Sequence, residues 1–331
     1  MNSFGRLFRI SIYGESHGAD VGLIVDGCPA GLPLAAEDFK SDLKRRNPTT
    51  AGTTARKEDD RPRITSGLYQ GKTTGSPLHI SFLNRDLQSE IYTQIKDTPR
   101  PGHADFVARK KFGGFADYRG GGHFSGRLTV ALVAAGVIAK NLIYPVNIAA
   151  RLLEVGGSED IEAAVNQALN AGDSVGGLVE CTAQDIPVGL GEPFFDAVEA
   201  RLSHLLFSIP AVRGIEFGAG FQAAKMKGSE HNDIIIDAEG KTATNHAGGI
   251  NGGISNGNPL VFRAAVKPTS SISRKQKTVD ITTGEPTELE ISGRHDTCIA
   301  LRTPVIFEAA TAIVLADLML LEQLIPRIWK P

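Results

Sequence analysis

The chain has little cysteine and no cysteine pattern. Cys28, Cys181 and Cys298 are odd in number, far apart and form no C-x-x-C pair. That excludes a disulfide framework and a recognisable zinc motif, so no metal site is expected, and it points to a reducing compartment, the cytoplasm. An excess of charge of one sign is also missing. The 35 Lys+Arg are offset by 37 Asp+Glu, for a net charge of −2. Composition therefore argues against nucleic acid or an anionic membrane as partner, and any anion site has to be built locally. The opening "MNSFGRLFRISIYGESHG" lacks the basic-then-apolar order of a signal peptide. Of the two most apolar stretches, 128–143 is too short to span a bilayer, and 305–325 carries Glu308, Asp317 and Glu322. Both are predicted to be buried helices. Nucleotide signatures are absent as well. Neither "GGG" at 120–122 nor "GGINGGISNG" at 248–257 fits G-x-x-x-x-G-K-[ST] or a G-x-G-x-x-G following a strand.

What is present is an ordinary globular composition, 41% hydrophobic and 22% charged over 331 residues, with no low-complexity linker. One domain, 1–331, of the α/β class is expected from the alternation of strand-like and helix-like segments. "LFRISIYG" and "VGLIVDG" predict an opening hairpin. Residues 37–46, with Phe39 and Leu43 four apart and a basic end, predict a short helix. A second helix is predicted over 158–171, with Ser158 as N-cap, a stripe of Ile161, Ala164, Val165, Ala168 and Leu169, and Gly172 as its stop. A short internal echo links "CPAGLPLAAEDFKSDL" (28–43) with "IPVGLGEPFFDAVEARL" (186–202), about 158 positions apart. Each reads as a strand end, a P-x-G-L turn and an amphipathic helix, the pattern of a duplicated α/β core.

Four loops concentrate polar chemistry: "YGESHGA" with His17, "RPGHAD" with His103, "DYRGGGHFSGR" at 117–127, and "SGRHDTC" with Arg294, His295 and Asp296. Histidine titrates near neutrality and is the usual general acid or base. Around these loops stand Arg45, Arg46, Arg100, Arg119, Arg127 and Lys267. Arginine forks suit phosphates and carboxylates, and glycine-rich loops offer backbone N–H groups to anions. A small substrate with several negative charges would satisfy all of them. Lys275 and Lys277 in "SISRKQK" read instead as a solvated run.

Taken in order, "FGRLFRISIYGESHG", "RPGHAD", "DYRGGGHFSGR", "NHAGGINGGISNG", "KPTSSI", "GRHDTC" and the closing "FEAATAIVLAD" resemble the signature segments of the chorismate synthase family, across nearly the whole chain. The resemblance implies a β-α-β-α sandwich with internal pseudo-duplication, assembled as a homotetramer. It implies a carbon–oxygen lyase that eliminates phosphate and a C6 hydrogen (1,4-anti) from 5-enolpyruvylshikimate 3-phosphate to give chorismate, with reduced FMN required although the reaction is redox-neutral. Carried over residue by residue, His17 is implied as the acid that protonates the reduced flavin. His103 is implied as the acid that assists the departing phosphate, and Asp296 as the acceptor of the flavin N5 proton, with Ser16 and Ser125 as hydrogen-bonding helpers. Flavin contacts are implied at His123, Phe124, Ser125, Pro210, Ala211, Gly252, Lys267, Pro268, Thr269, Ser270, Ser271 and Arg294. Substrate anions are implied to meet Arg46, Arg100, Arg127 and Arg294.

The chain departs from the family pattern at four places. His123 stands where arginine is common, and Leu128 where glutamate is common. "NPTTAGTTARK" lacks the usual basic residue, and the segment 151–161 is short. The lost basic residue weakens a nicotinamide-phosphate site. NADPH is therefore expected at most as a reductant, and because no separate reductase domain is visible in the sequence, reducing equivalents are expected from an external source. The alternative from another class is a non-catalytic flavin- or phosphate-binding protein of the same fold.

Overall fold

Alternating β-branched and aromatic residues make the first sheet. In the computed structural model, which describes residues 2–47, 50–54, 58–291 and 295–329, the expected hairpin forms from β2 (Arg9–Gly14) and β3 (Asp20–Asp26). The sheet is completed by β1 (Ser3–Phe4), β4 (Arg63–Ser66) and β5 (Leu78–Leu83), in the order β1-β2-β3-β5-β4, all antiparallel. Register follows the period of two. Val21, Leu23 and Val25 sit opposite Phe82, Ile80 and Leu78, and all six are buried on one face.

The second sheet repeats the plan. It contains β6 (Asn147–Val155), β7 (Gly177–Gln184), β8 (Val212–Phe217) and β9 (Leu260–Val266), in the antiparallel order β8-β9-β7-β6. Matching β6, β7, β9 and β8 to β2, β3, β5 and β4 gives the same neighbours in the same chain order. The short echo thus marks a duplicated topology. In each half the repeated P-x-G-L turn is followed by a 3₁₀ turn and a helix, α1 (Lys40–Arg46) and α4 (Val198–Ser208).

Between the sheets lie the two apolar stretches as helices, α2 (Thr129–Leu142) and α5 (Thr303–Leu321), buried on nearly every side. Helix α2 packs on the first sheet, α5 on the second, and the two cross each other. A Cβ on Gly136 would lie 2.3 Å from Ala309 Cβ, so glycine permits this close crossing. Each fully buried Val, Ile or Leu along the seam contributes about 1.5–3 kcal/mol. Helix α5 is long and apolar enough to cross a membrane by composition, but 89% of it is buried here.

The two buried acids of α5 are structural. Glu308 accepts from Arg45 Nη2 at 2.6 Å, from Lys140 Nζ at 2.9 Å and from the Ala150 N–H at 3.0 Å. Asp317 accepts the backbone N–H groups of Arg6, Leu7 and Phe8 at 2.9, 2.7 and 2.9 Å and Arg201 Nη2 at 2.8 Å. Removing either acid would strand buried donors.

One cap differs from expectation. Helix α3 (Ile161–Asn170) begins later than predicted and is capped by Asp160, whose carboxylate accepts the Ala163 N–H at 3.0 Å. Ser158 serves the turn before it, accepting the Asp160 N–H at 3.2 Å. Val165 is the buried centre of its stripe, while Leu169 is half exposed.

Candidate active site

The glycine run borders a cleft of about 1050 Å³. Gly120, Gly121 and Gly122 have φ of 58°, 82° and 53°, conformations that disfavour a side chain. They are also crowded. A Cβ on Gly120 would lie 2.6 Å from His17 Nε2 and 2.9 Å from Ser16 Oγ, and one on Gly121 would lie 3.4 Å from His103 Nε2. The Nε2 edges of both histidines therefore flank the same backbone. The Ser16 N–H donates to the Gly122 carbonyl at 3.0 Å, which ties the first loop to the third.

Each imidazole is held from its other nitrogen. His17 is buried, pairs through Nδ1 with Ser89 Oγ at 2.8 Å and meets the Tyr92 ring edge-on. His103 Nδ1 lies 2.6 Å from Asp105 Oδ1. Burial alone would raise the Asp105 carboxyl, but hydrogen bonds and charge from Arg100 and His103 hold it well below the usual carboxylate range. Asp105 is therefore an ionised acceptor, His103 donates Nδ1–H to it, and Nε2 is left toward the glycines. Arg100 also grips Asp105, through Nε at 2.7 Å and Nη2 at 2.8 Å, and reaches Ser271 Oγ at 3.1 Å.

Two more arginines are buried beside them. Arg46 Nη2 donates to Asp60 Oδ2 at 2.7 Å, and Arg127 Nη1 donates to Asp60 Oδ1. Burial would raise Asp60, but this pair of cations brings it below its ordinary value. Arg127 Nε donates to Asn84 Oδ1 at 2.9 Å, while the Asn84 amide donates to the Glu15 and Gly18 carbonyls at 3.0 Å. Asn84 thus fixes the loop carrying Ser16 and His17 relative to Arg127.

The far wall gathers most of the implied flavin residues. His123, Phe124, Ser125, Pro210, Ala211 and Lys267–Ser271 line the cleft. His123 Nδ1 donates to the Gly14 carbonyl at 2.8 Å, a role different from the anion contact of the arginine commonly found there. Lys267 Nζ donates to the Gly102 carbonyl at 2.6 Å and to Ser270 Oγ at 3.0 Å. Burial, then the Arg213 charge, pulls the Lys267 ammonium below its usual range. Asp296 lines the cleft too. Its Oδ1 accepts the Thr54 N–H at 2.9 Å and Arg302 Nε at 2.8 Å.

Gly252 stands apart. It sits in the turn between the short strands Ile250–Asn251 and Ile254–Ser255 and is not among the residues that line the cleft. Arg294 lies outside the described residues. Leu128, another of the four departures, is buried in the cleft wall.

Sequence reading did not single out Asp105, Asp60, Asn84, Ser89, Tyr92 or Arg302. Only Asp105 had a local signal, since it follows His103 by two positions in "RPGHAD". The site suits a flat anionic cofactor beside an anionic substrate. Arg46 Nε, Thr269 Oγ1 and Arg302 Nη2 are buried without hydrogen-bond partners among the described residues, and all three side chains belong to the cleft. Its volume lies just above the range of about 300–1,000 Å³ typical of small-molecule sites.

Comparison with known proteins gives the family and the fold. Residues 8–320 match the family model for chorismate synthase. The chorismate synthase of Chitinophaga pinensis is 60% identical over 331 residues, covering 100% of both chains. That of Archaeoglobus fulgidus is 45% identical over 358 aligned positions, covering 99% of each. A crystal structure of chorismate synthase, 27% identical, superposes with a TM-score of 0.75 over 96% of this chain and 93% of that one. The chain belongs to the chorismate synthase family.

Proposed function

We propose that this cleft performs the family's lyase reaction, the 1,4-anti elimination of phosphate from 5-enolpyruvylshikimate 3-phosphate to chorismate, with FMN and substrate bound side by side. The convergence of both histidine Nε2 edges on one glycine run, inside a cleft lined by buried arginines, carries the reading. His123 to Ser125, Pro210, Ala211 and Lys267 to Ser271 would hold the flavin. Reduced FMN, when bound, supplies the electron density and the acceptor for the C6 hydrogen that a redox-neutral elimination needs.

The chain's own groups do the rest. Arg46, Arg100 and Arg127 offer charge to the substrate's phosphate and carboxylates. His103, with Nδ1–H donated to Asp105, presents Nε2 as the atom that hands a proton to the leaving phosphate. His17, backed by Ser89 and closed in by Tyr92, is the acid on the flavin side, with Ser16 and Ser125 as hydrogen-bonding helpers. Among the described residues both donors to Asp296 reach Oδ1, so Oδ2 is the oxygen that takes up a proton.

The reading extends to assembly and setting. A homotetramer would cover strongly exposed apolar side chains such as Phe194, Phe195, Phe221, Ile234 and Ile235. Three free, buried cysteines suit the cytoplasm. The segment that follows Pro48 lacks the basic residue usual there in the family, which weakens a nicotinamide-phosphate site, and reducing equivalents are taken to come from an external reductant.

The test is anaerobic phosphate release from 5-enolpyruvylshikimate 3-phosphate with photoreduced FMN, run beside NADPH plus FMN. Turnover is expected in the first mixture and not in the second. Binding of both ligands with no phosphate released would favour a non-catalytic binding protein.

A further inference from the structure

Arg302 bonds to both sides of the cleft. It closes the 3₁₀ turn Ile299–Arg302 that leads into α5, and its side chain is almost fully buried. Nε donates to Asp296 Oδ1 at 2.8 Å. Nη1 donates to the Arg46 carbonyl at 3.2 Å and to Asn47 Oδ1 at 2.9 Å. One planar cation therefore joins two segments about 250 residues apart in sequence. Arg46, Asn47, Asp296 and Arg302 all line the same cleft.

We propose that Arg302 is a positioning residue that locks the proton-accepting carboxylate of Asp296 to the anion-binding end of α1, so that substrate and acceptor are held in one register. The assignment rests on the reading of Asp296 and Arg46 given above. A guanidinium is required because its rigid fork donates in two directions at once. A lysine ammonium keeps the charge but has no fixed fork with which to hold Asp296 and the Arg46–Asn47 backbone together. Because Arg302 and the Thr54 N–H both engage Oδ1, they set the carboxylate plane without occupying Oδ2. Loosening Arg302 therefore leaves the acceptor present and mis-aimed.

The experiment is a double-mutant cycle of Arg302→Lys and Asp296→Asn, followed by turnover with reduced FMN. Calorimetric binding of 5-enolpyruvylshikimate 3-phosphate to the flavin-free protein is the second readout. Arg302→Lys is expected to lower kcat by about 10²-fold, the scale of a 1 Å misplacement, and to weaken substrate binding several-fold. Asp296→Asn is expected to lower kcat by about 10²–10⁴-fold with substrate binding retained. In the double variant kcat should equal that of Asp296→Asn alone, while the binding loss persists.

Multiplying kcat losses would overturn the proposal and leave the role of Asp296 intact. Wild-type kcat and binding in Arg302→Lys would overturn it as well. Wild-type turnover in Asp296→Asn would instead remove the acceptor, and the proposal with it. Should Arg302→Lys fail to fold, Asn47→Ala loosens the same guanidinium and carries the same cycle, with the same expected pattern at smaller amplitude.

Discussion

Replacing Gly120 by alanine separates backbone strain from steric intrusion on His17. The φ of 58° costs a non-glycine residue about 1–2 kcal/mol. The added methyl would meet the His17 ring at 2.5 Å and Ser16 Oγ at 2.9 Å. Neither can retreat freely, because His17 is held by Ser89 and Tyr92, and overpacking of this kind costs a further ~1–3 kcal/mol. The total is about 2–5 kcal/mol. With unfolding entropy of about 2.1 cal/mol/K per residue over 331 residues, each kcal/mol lowers the melting midpoint by about 1.4 °C. Gly120→Ala should therefore melt about 3–7 °C below wild type.

Gly284→Ala is the control. Its φ is 80°, but nothing lies within 4 Å of the added Cβ, so only strain remains, about 1–3 °C. Differential scanning calorimetry of both variants gives the difference directly. Turnover supplies the second half of the prediction. A displaced His17 should cost about 10²-fold in Gly120→Ala and nothing in Gly284→Ala. Equal melting shifts with normal turnover in both would show that the glycine run serves only as a turn.

Two further outcomes are expected. His17→Ala and His103→Ala should each slow turnover by about 10²–10⁴-fold with flavin binding far less changed, measured anaerobically with reduced FMN; near-normal rates in either would reassign that histidine to structure. Asp105 is held below its unfolded value, so it contributes stability that is present above about pH 4 and lost as pH falls through the lower folded value. Asp105→Asn should thus lower the melting midpoint at pH 7 and flatten its fall below about pH 4. A wild-type acid limb in that variant would mean that the carboxylate is not paired as described.

How much of this was legible in the sequence depends on whether the signal was local. The two buried helices could be read from their apolar runs, and the opening hairpin from its alternation. The duplicated topology was visible only as a short echo, since the repeat preserves strand order and hardly any side chains. Cap choice failed because Ser158 and Asp160 both suit an N-cap, and only the geometry decides which one reaches the Ala163 N–H. In the site, the histidines and most arginines announced themselves in glycine-bounded loops. Their partners did not. Ser89, Asn84 and Asp60 act on residues 14 to 72 positions away, with nothing in their own neighbourhood to mark them. Arg302 was hidden differently, at the head of an apolar helix where a charged residue reads as a cap. Gly252 illustrates the converse. A glycine carried over from a family pattern kept its turn and is not among the residues that line the cleft.

The crossing of α2 and α5 has a consequence for how the chain reaches its fold. Gly136 and Ala309 touch across a sequence separation of about 170 residues, so the first sheet and α2 are complete in the growing chain long before their cover exists. Until α5 is synthesised, the apolar back of α2 has no partner, and closing so long a loop is slow compared with forming hairpins. Folding of the first half is therefore provisional during translation, and the nascent chain carries an uncovered apolar helix face for about half of its synthesis. The same helix ends the delay and builds the site: its N-terminal Arg302 docks on Asp296 and Arg46, its middle on α2, and its Asp317 on the backbone of residues 6–8. Core completion and cleft assembly are one late event.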